Sequence, residues 1–213
     1  MNLTTFRKEY SLAGLRRRDL NANPIVQFQK WIQQAVQAGI PEPTAMSVAT
    51  VNQSGQPSLR TVLLKEVDER GFIFCTSYES QKGRELRGNQ RTALSFFWKE
   101  LERQVTIKGI AARLSTEESE EYFRARPVGS QLGAWASQQS SVVTDRSALE
   151  KRFAEFDEKY SGEKIPMPPH WGGYVVSPDE IQFWQGGINR LHDRFRYIKT
   201  AEAAEWLIER LAP

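Results

Sequence analysis

Apolar residues in this chain recur first at helical and then at strand spacing. Between 24 and 38, Ile25, Phe28, Ile32, Ala35 and Val36 mark one face of an amphipathic helix. Asn23 suits its N-cap, Pro24 its first turn and Gly39 the position past its end. The period then falls to two. Segments 45–51, 59–67, 72–76, 92–98 and 103–112 read as strands, several rich in Val, Ile, Phe and Thr. Asn52-Gln53-Ser54-Gly55-Gln56 and Asp68-Glu69-Arg70-Gly71 read as hairpin loops, and a short helix is expected over 83–87. Ser115-Thr116-Glu117-Glu118 is a capping-box pattern opening a helix that ends near Pro127. Another helix is expected over 145–160, with Leu149, Phe153, Phe156 and Tyr160 on one face. After Pro166-Met167-Pro168-Pro169, strands resume at 171–177, 180–185 and 190–199. Segment 204–211 fits either strand or helix.

Many antiparallel strands with helices set between them predict a β-barrel of the α+β class. Strand and helix do not alternate strictly, and no Gly-x-Gly-x-x-Gly follows a strand, which disfavours a dinucleotide-binding sheet. No repeat or long linker divides the chain. A single domain over 23–213 is expected, preceded by a polar arm over 1–22 with the run Arg16-Arg17-Arg18-Asp19. That arm reads either as a solvated, flexible segment or as a lid that binds anions.

Composition narrows the chemistry. Of 213 residues, 39% are hydrophobic and 26% charged, enough apolar material for a core. Lys and Arg total 29 against 26 Asp and Glu, a net charge of only +3, which weakens any case for generic nucleic-acid binding. A single cysteine, Cys75, leaves no disulfide and no thiolate cluster, and two histidines make no multi-histidine metal centre. No apolar run approaches a membrane span, and the N-terminus lacks a signal-peptide core. A soluble protein of a reducing cytoplasm is expected, with no metal site.

Three groups of residues stand out. If 190–195 is extended, Arg190, His192 and Arg194 share one strand face beside Trp184 and a Gly-Gly turn. Such a row either guards a sheet edge or faces an anionic or electron-rich ligand. Tyr122 and Arg126, four apart, share a helical face with Ser130 nearby: an ordinary surface pair, or the charge and neutral donors that a phosphate monoester needs. Arg60, Lys65, Ser80 and Lys82 bracket a helix start suited to phosphate. Arg60 and Lys65 are five apart, so an ideal strand points them to opposite faces. Nothing resembles a hydrolytic triad, and Cys75 in an apolar strand reads as an inert thiol.

Several longer motifs then coincide. Arg60-Thr61-Val62-Leu63-Leu64-Lys65, Leu101-Glu102-Arg103-Gln104-Val105, Arg126-Pro127 with Ser130-Gln131-Leu132-Gly133-Ala134-Trp135, Gln139-Ser140-Ser141, and Phe183-Trp184-Gln185-Gly186 with Arg190-Leu191-His192-Asp193-Arg194 resemble the pyridoxamine/pyridoxine 5′-phosphate oxidase family. The likeness runs from about residue 7 to the C-terminal Arg210-Leu211-Ala212-Pro213. It implies a split β-barrel, a homodimer, FMN at the subunit interface, and oxidation of the two phosphorylated vitamers to pyridoxal 5′-phosphate with dioxygen as final acceptor. By the same resemblance, FMN contacts Arg60, Thr61, Val62, Leu63, Leu64, Lys65, Cys75, Thr76, Gln81, Lys82, Gln104, Gln139, Ser140, Trp184 and Arg194. Lys65, Tyr122, Arg126 and Ser130 hold the substrate phosphate, which lets Arg60 and Lys65 serve different ligands. Arg190 and His192 cover the substrate ring as the catalytic pair, and Arg7, Lys8 and Tyr10 match a segment that folds over the site. Cys75 departs from the family's common aromatic residue, and Gln81 from its common arginine, so FMN affinity is the property the departures touch. A flavin reductase-like split barrel is the alternative within the fold, and a small-barrel nucleic-acid binder the alternative outside it. The first would lack both the Tyr122/Arg126/Ser130 set and the Arg190/His192 pair.

Overall fold

Long antiparallel strands with one buried face must curl to close that face around a core. The computed structural model describes residues 1–5, 9–12, 14–199 and 205–213 and shows this arrangement as a split β-barrel of the α+β class. The strands are β1 Ala45–Val51, β2 Pro57–Leu63, β3 Glu66–Asp68, β4 Gly71–Ser77, β5 Arg91–Trp98, β6 Arg103–Arg113, β7 Trp171–Gln185, β8 Asp193–Lys199 and β9 Trp206–Leu211. The helices are α1 Pro24–Gln37, α2 Gln81–Gly88, α3 Thr116–Arg124, α4 Val128–Ala136 and α5 Arg146–Lys159. Strand order is β2-β1-β5-β6-β7-β4-β3, with β8 between β7 and β9, and every pairing is antiparallel.

Helix α1 closes the barrel. Asn23 caps it by accepting from the Ile25 backbone at 2.8 Å. Its Phe28 ring lies 4.8 Å from Phe72 and 4.9 Å from Phe96, and Trp31 lies 5.1 Å from Phe183. Truncating an enclosed Phe such as this to Ala typically costs about 3–5 kcal/mol.

Strand β7 organises the rest. Its first half pairs with β4, its second half with β8, and β6 runs along it from Tyr174 to Gln185. The sequence reads two strands here because Pro178 cannot donate to a ladder. The chain instead carries Pro178 opposite Gly109, where the β6 register shifts. A Cβ on Gly109 would stand 2.2 Å from the Ser177 carbonyl oxygen, so the bulge needs glycine.

Three other expectations are corrected. The strand expected over 59–67 is two: β2 ends at Leu63, β3 begins at Glu66, and the Lys65 backbone turns to donate to Ile73 at 2.8 Å. The strand expected from 190 begins at Asp193, because Asn189 and Arg190 take positive φ of 55° and 63° in a 3-10 turn. Arg190, His192 and Arg194 therefore do not form a row on one strand face. Helix α4 was not expected, and the segment open between strand and helix is strand β9, with 200–204 outside the described residues.

Toward the N-terminus, Leu15 is buried and its backbone donates to Asp193 at 2.8 Å. Tyr197 on β8 donates to the Asn21 carbonyl at 2.7 Å. Arg16, Arg17 and Arg18 are exposed. Arg7 and Lys8, expected over the site, lie outside the described residues. Among the described residues no helix is long and apolar enough to cross a membrane.

Candidate functional site

The ends of β2 and β4, the start of α2, the α3–α4 junction and the start of β7 meet around a cavity of about 510 Å³. Thr61, Val62, Leu63 and Lys65 line one side; Cys75, Thr76 and Lys82 the floor; Tyr122, Arg126, Pro127, Ser130, Gln139 and Trp171 the remainder. Residues from both expected ligand sets, cofactor and phosphate, thus share one space.

Lys82 is the most unusual of them. Ser80 caps α2 by accepting from the Gly83 backbone at 3.3 Å, which places Lys82 in the first turn. Gly83 admits this close approach, since a Cβ there would stand 2.3 Å from the Tyr78 carbonyl oxygen. The Lys82 ammonium is buried and donates to Gln139 Oε1 at 2.9 Å, Thr76 Oγ1 at 3.0 Å and Ser80 Oγ at 3.4 Å. All three acceptors are neutral, and Lys82 makes no ion pair among the described residues. Burial first, and the Arg60 charge second, pull its pKa down to about 8. A buried cation without a counter-ion is costly, and a bound anion would relieve it.

Arg126 reaches the cavity from beyond a helix end. The Ser115–Glu118 capping box starts α3, the helix stops at Arg124, and Pro127 opens the way into α4. Tyr122 and Arg126 therefore do not share a helical face, yet the turn brings both to the cavity with Ser130. The Arg126 guanidinium lies 4.9 Å over the Trp171 ring, and burial lowers its pKa. Tyr122 donates to the Glu66 carboxylate, and burial, then Glu66, push its phenol pKa up. Burial likewise pushes the Cys75 thiol to about 11, with Lys65 and Arg126 opposing, so it stays protonated at neutral pH.

Several expected residues lie elsewhere. Arg60 does not line the cavity; it donates to Ser58 Oγ at 2.6 Å and the Val48 carbonyl at 3.2 Å, and pairs with Glu85 at 3.4 Å. Gln81 donates to Glu85 at 2.9 Å, also outside the cavity. Burial alone would raise the Glu85 pKa, but bonds from Ser58, Thr50 and Gln81 together with the Arg60 charge hold it at about 2. Leu64 is buried and Ser140 sits in a turn with φ 71°; neither lines the cavity.

A second group gathers at the far end of β7. Trp184 lies 4.8 Å from His192 and 5.5 Å from Tyr10, ring to ring, and Tyr10 lies 5.6 Å from His192. His192 Nδ1 accepts from the Gly187 backbone at 3.1 Å. Gln104 pairs across the ladder with Trp184, while Arg194 donates to Gln182 at 3.2 Å and to the Ala212 carbonyl at 3.0 Å. None of Tyr10, Gln104, Trp184, Arg190, His192 or Arg194 lines the cavity. Sequence reasoning missed Glu66, Glu85 and Trp171, which reach their partners through strand pairing and helix packing rather than through any motif.

Residues 32–160 match the family described as pyridoxamine 5′-phosphate oxidase. The chain belongs to this family. Residues 171–213, which span β7 to β9, match the pyridoxine 5′-phosphate oxidase C-terminal dimerisation region. A pyridoxine/pyridoxamine 5′-phosphate oxidase of Crocosphaera subtropica is 53% identical over 214 aligned residues, covering 100% of both chains. One from Paraburkholderia phytofirmans is 52% identical, covering 100% of this chain and 99% of that one. Among solved structures, PhzG from Burkholderia lata, in complex with tetrahydrophenazine-1-carboxylic acid, is 32% identical with a TM-score of 0.90, covering 97% of this chain and all (100%) of that one. A pyridoxamine 5′-phosphate oxidase-related, FMN-binding protein from Nostoc punctiforme, 15% identical with a TM-score of 0.72 over 91% of this chain and 100% of its own, shares the fold. The Tyr122/Arg126/Ser130 grouping is thus the cavity wall of a pyridoxamine 5′-phosphate oxidase family member, with Trp171 behind its arginine.

Proposed function

We propose that this chain oxidises pyridoxamine 5′-phosphate and pyridoxine 5′-phosphate to pyridoxal 5′-phosphate with FMN as its redox group. The observation that carries this reading is the cavity itself, in which Lys65, Lys82 and Arg126 converge with hydroxyl and amide donors, and neither Lys82 nor Arg126 has an ion pair among the described residues. Two phosphate monoesters, one on the cofactor and one on the substrate, suit such a donor set.

The residues fit FMN. Lys82, at the first turn of α2 with Thr76 and Gln139 against its ammonium, would meet the cofactor phosphate, and the 61–65 backbone would border the ring system. When bound, FMN supplies the two-electron acceptor that no side chain provides, taking hydride from C4′ at N5 and passing the electrons to dioxygen to give hydrogen peroxide. Lys65, Arg126, Ser130 and Tyr122 would hold the substrate phosphate and so fix one end of the ring. Arg190 and His192 would cover its other face, excluding water and keeping C4′ at reacting distance. For the amine, hydrolysis of the resulting imine releases ammonia.

Because Arg190, His192, Trp184, Arg194 and Gln104 stand apart from the cavity of their own chain, a second copy would supply them. The match of 171–213 to a dimerisation region supports that arrangement. The relative bound to a tetrahydrophenazine carboxylate raises a second substrate class, a tricyclic carboxylate, whose anion the same donors could also bind. One experiment tests the reading. FMN-loaded protein is incubated aerobically with each phosphorylated vitamer and with the tricyclic acid, following aldehyde and peroxide, and its mass is measured by sedimentation. Aldehyde and peroxide from the vitamers, by a dimer, are expected. No aldehyde from either vitamer, or full activity in a monomer, refutes it.

A further inference from the structure

A phenol has a single O–H to donate. Tyr122 lines the cavity beside Arg126 and Ser130, but its O–H points at the Glu66 carboxylate. While it does so, Tyr122 presents an incoming anion only with lone pairs. Glu66 stands at the start of β3, directly after Lys65, and Tyr122 is its one side-chain partner among the described residues. The cavity's own charged side chains, Lys65, Lys82 and Arg126, are all basic, so among the described residues the carboxylate beside Tyr122 is the one acid bonded to its wall.

We propose that Glu66 is a positioning residue that competes with the substrate phosphate for the Tyr122 hydrogen bond and thereby sets phosphate affinity. Binding turns the phenol O–H from the carboxylate to the ligand; no proton changes owner. This rests on the reading of the cavity as the phosphate site. Glu66 therefore weakens binding of phosphate esters while leaving the same ring without its phosphate unaffected. It is exposed, so its charge is screened and the effect is moderate.

The test is anaerobic equilibrium binding, to protein loaded with FMN and then chemically reduced so that no probe is oxidised, of pyridoxine 5′-phosphate and pyridoxine in wild type, Glu66→Gln, Glu66→Ala and Arg126→Ala. Both Glu66 variants should bind the phosphorylated probe roughly 3- to 10-fold more tightly and pyridoxine as wild type does. In the Tyr122→Phe background the gain from Glu66→Gln should shrink to about 2-fold, the part due to charge alone. A merely structural role would move both probes together and would not depend on the phenol. If Glu66→Ala, which removes the acceptor, leaves pyridoxine 5′-phosphate binding unchanged or weaker while Arg126→Ala weakens it, the competition is refuted and the phosphate site stands. If Arg126→Ala has no effect on the phosphorylated probe, the site reading itself fails and the proposal falls with it.

Discussion

Replacing Lys82 with methionine separates the two consequences of its burial. The side chain is 5% exposed, its ammonium meets only neutral oxygens, and its pKa falls from 10.5 to about 8. At about 1.4 kcal/mol per pKa unit, keeping the charge costs the ligand-free fold roughly 3 kcal/mol at pH 7. The unfolded chain holds this proton to about 10.5 and the folded chain only to about 8, so between those values the unfolded state binds more protons and stability rises with pH. Methionine has no charge to desolvate but forfeits bonds to Thr76 and Gln139 that contribute about 1 kcal/mol each. Lys82→Met without FMN should therefore be about 1 kcal/mol more stable than wild type at pH 7, and less stable than wild type by pH 10. A phosphate against the ammonium keeps it protonated. FMN affinity of the wild type should then fall as pH rises above 8, whereas the variant should bind about 10- to 100-fold more weakly with a flatter pH profile. Thermal melts of the FMN-free proteins and flavin fluorescence titrations from pH 7 to 10 measure both. A stability difference that does not change with pH refutes the depressed pKa, and equal FMN affinity refutes the assignment of Lys82 to the cofactor phosphate.

Arg126→Ala should raise KM for phosphorylated substrate by about 10- to 100-fold with a smaller change in kcat, since a phosphate anchor changes little between ground and transition state; steady-state kinetics against both vitamers checks this. Glu85→Gln should lose about 3 kcal/mol of stability at pH 7, because the folded pKa of about 2 lies below the ordinary 4.5. The wild-type advantage should disappear as pH falls from 4.5 toward 2, which denaturant melts at graded pH can follow. Gln81→Arg should change FMN affinity by less than about 3-fold, because the new guanidinium meets the Glu85 carboxylate before it meets the cavity. A larger gain in a fluorescence titration would show that the side chain turns inward.

Much of the barrel is legible in residue spacing, because period-two strands and the capped, periodic α1 obey local rules that packing reinforces. The errors fall where tertiary context overrides those rules. Pro178 reads as a break, yet a bulge beside Gly109 absorbs it and leaves one strand. Gly129 and Gly133 mask α4, whose start is set by Pro127. Arg190 looks extended in a strand-like run, but the positive φ at Asn189 and Arg190 turns it out of the strand, and nothing in the residue types announces that. At the site, residue type and spacing already singled out Lys65, Lys82, Tyr122, Arg126 and Ser130, and the resemblance added Cys75, Thr76 and Gln139 as ligand contacts; all of them line the cavity. Glu66 and Trp171 were invisible because their roles depend on partners 56 residues away in one case and on a cation–ring stack in the other.

Strand β7 runs 15 residues, roughly 50 Å of chain at about 3.3 Å per residue, with Trp171 at the cavity and Trp184 in the aromatic cluster near its other end. A rigid ladder of that length holds these two groups of one chain apart, so in the proposed dimer each site would draw on both chains. Two defective chains can then repair one another. An Arg126→Ala chain paired with an Arg194→Ala chain would contain one site with both lesions and one with neither. Random mixing of the two impaired proteins after dissociation, assayed at substrate far below the KM of the Arg126→Ala chain, should accordingly restore about a quarter of wild-type sites, half the dimers being mixed and each mixed dimer carrying one intact site.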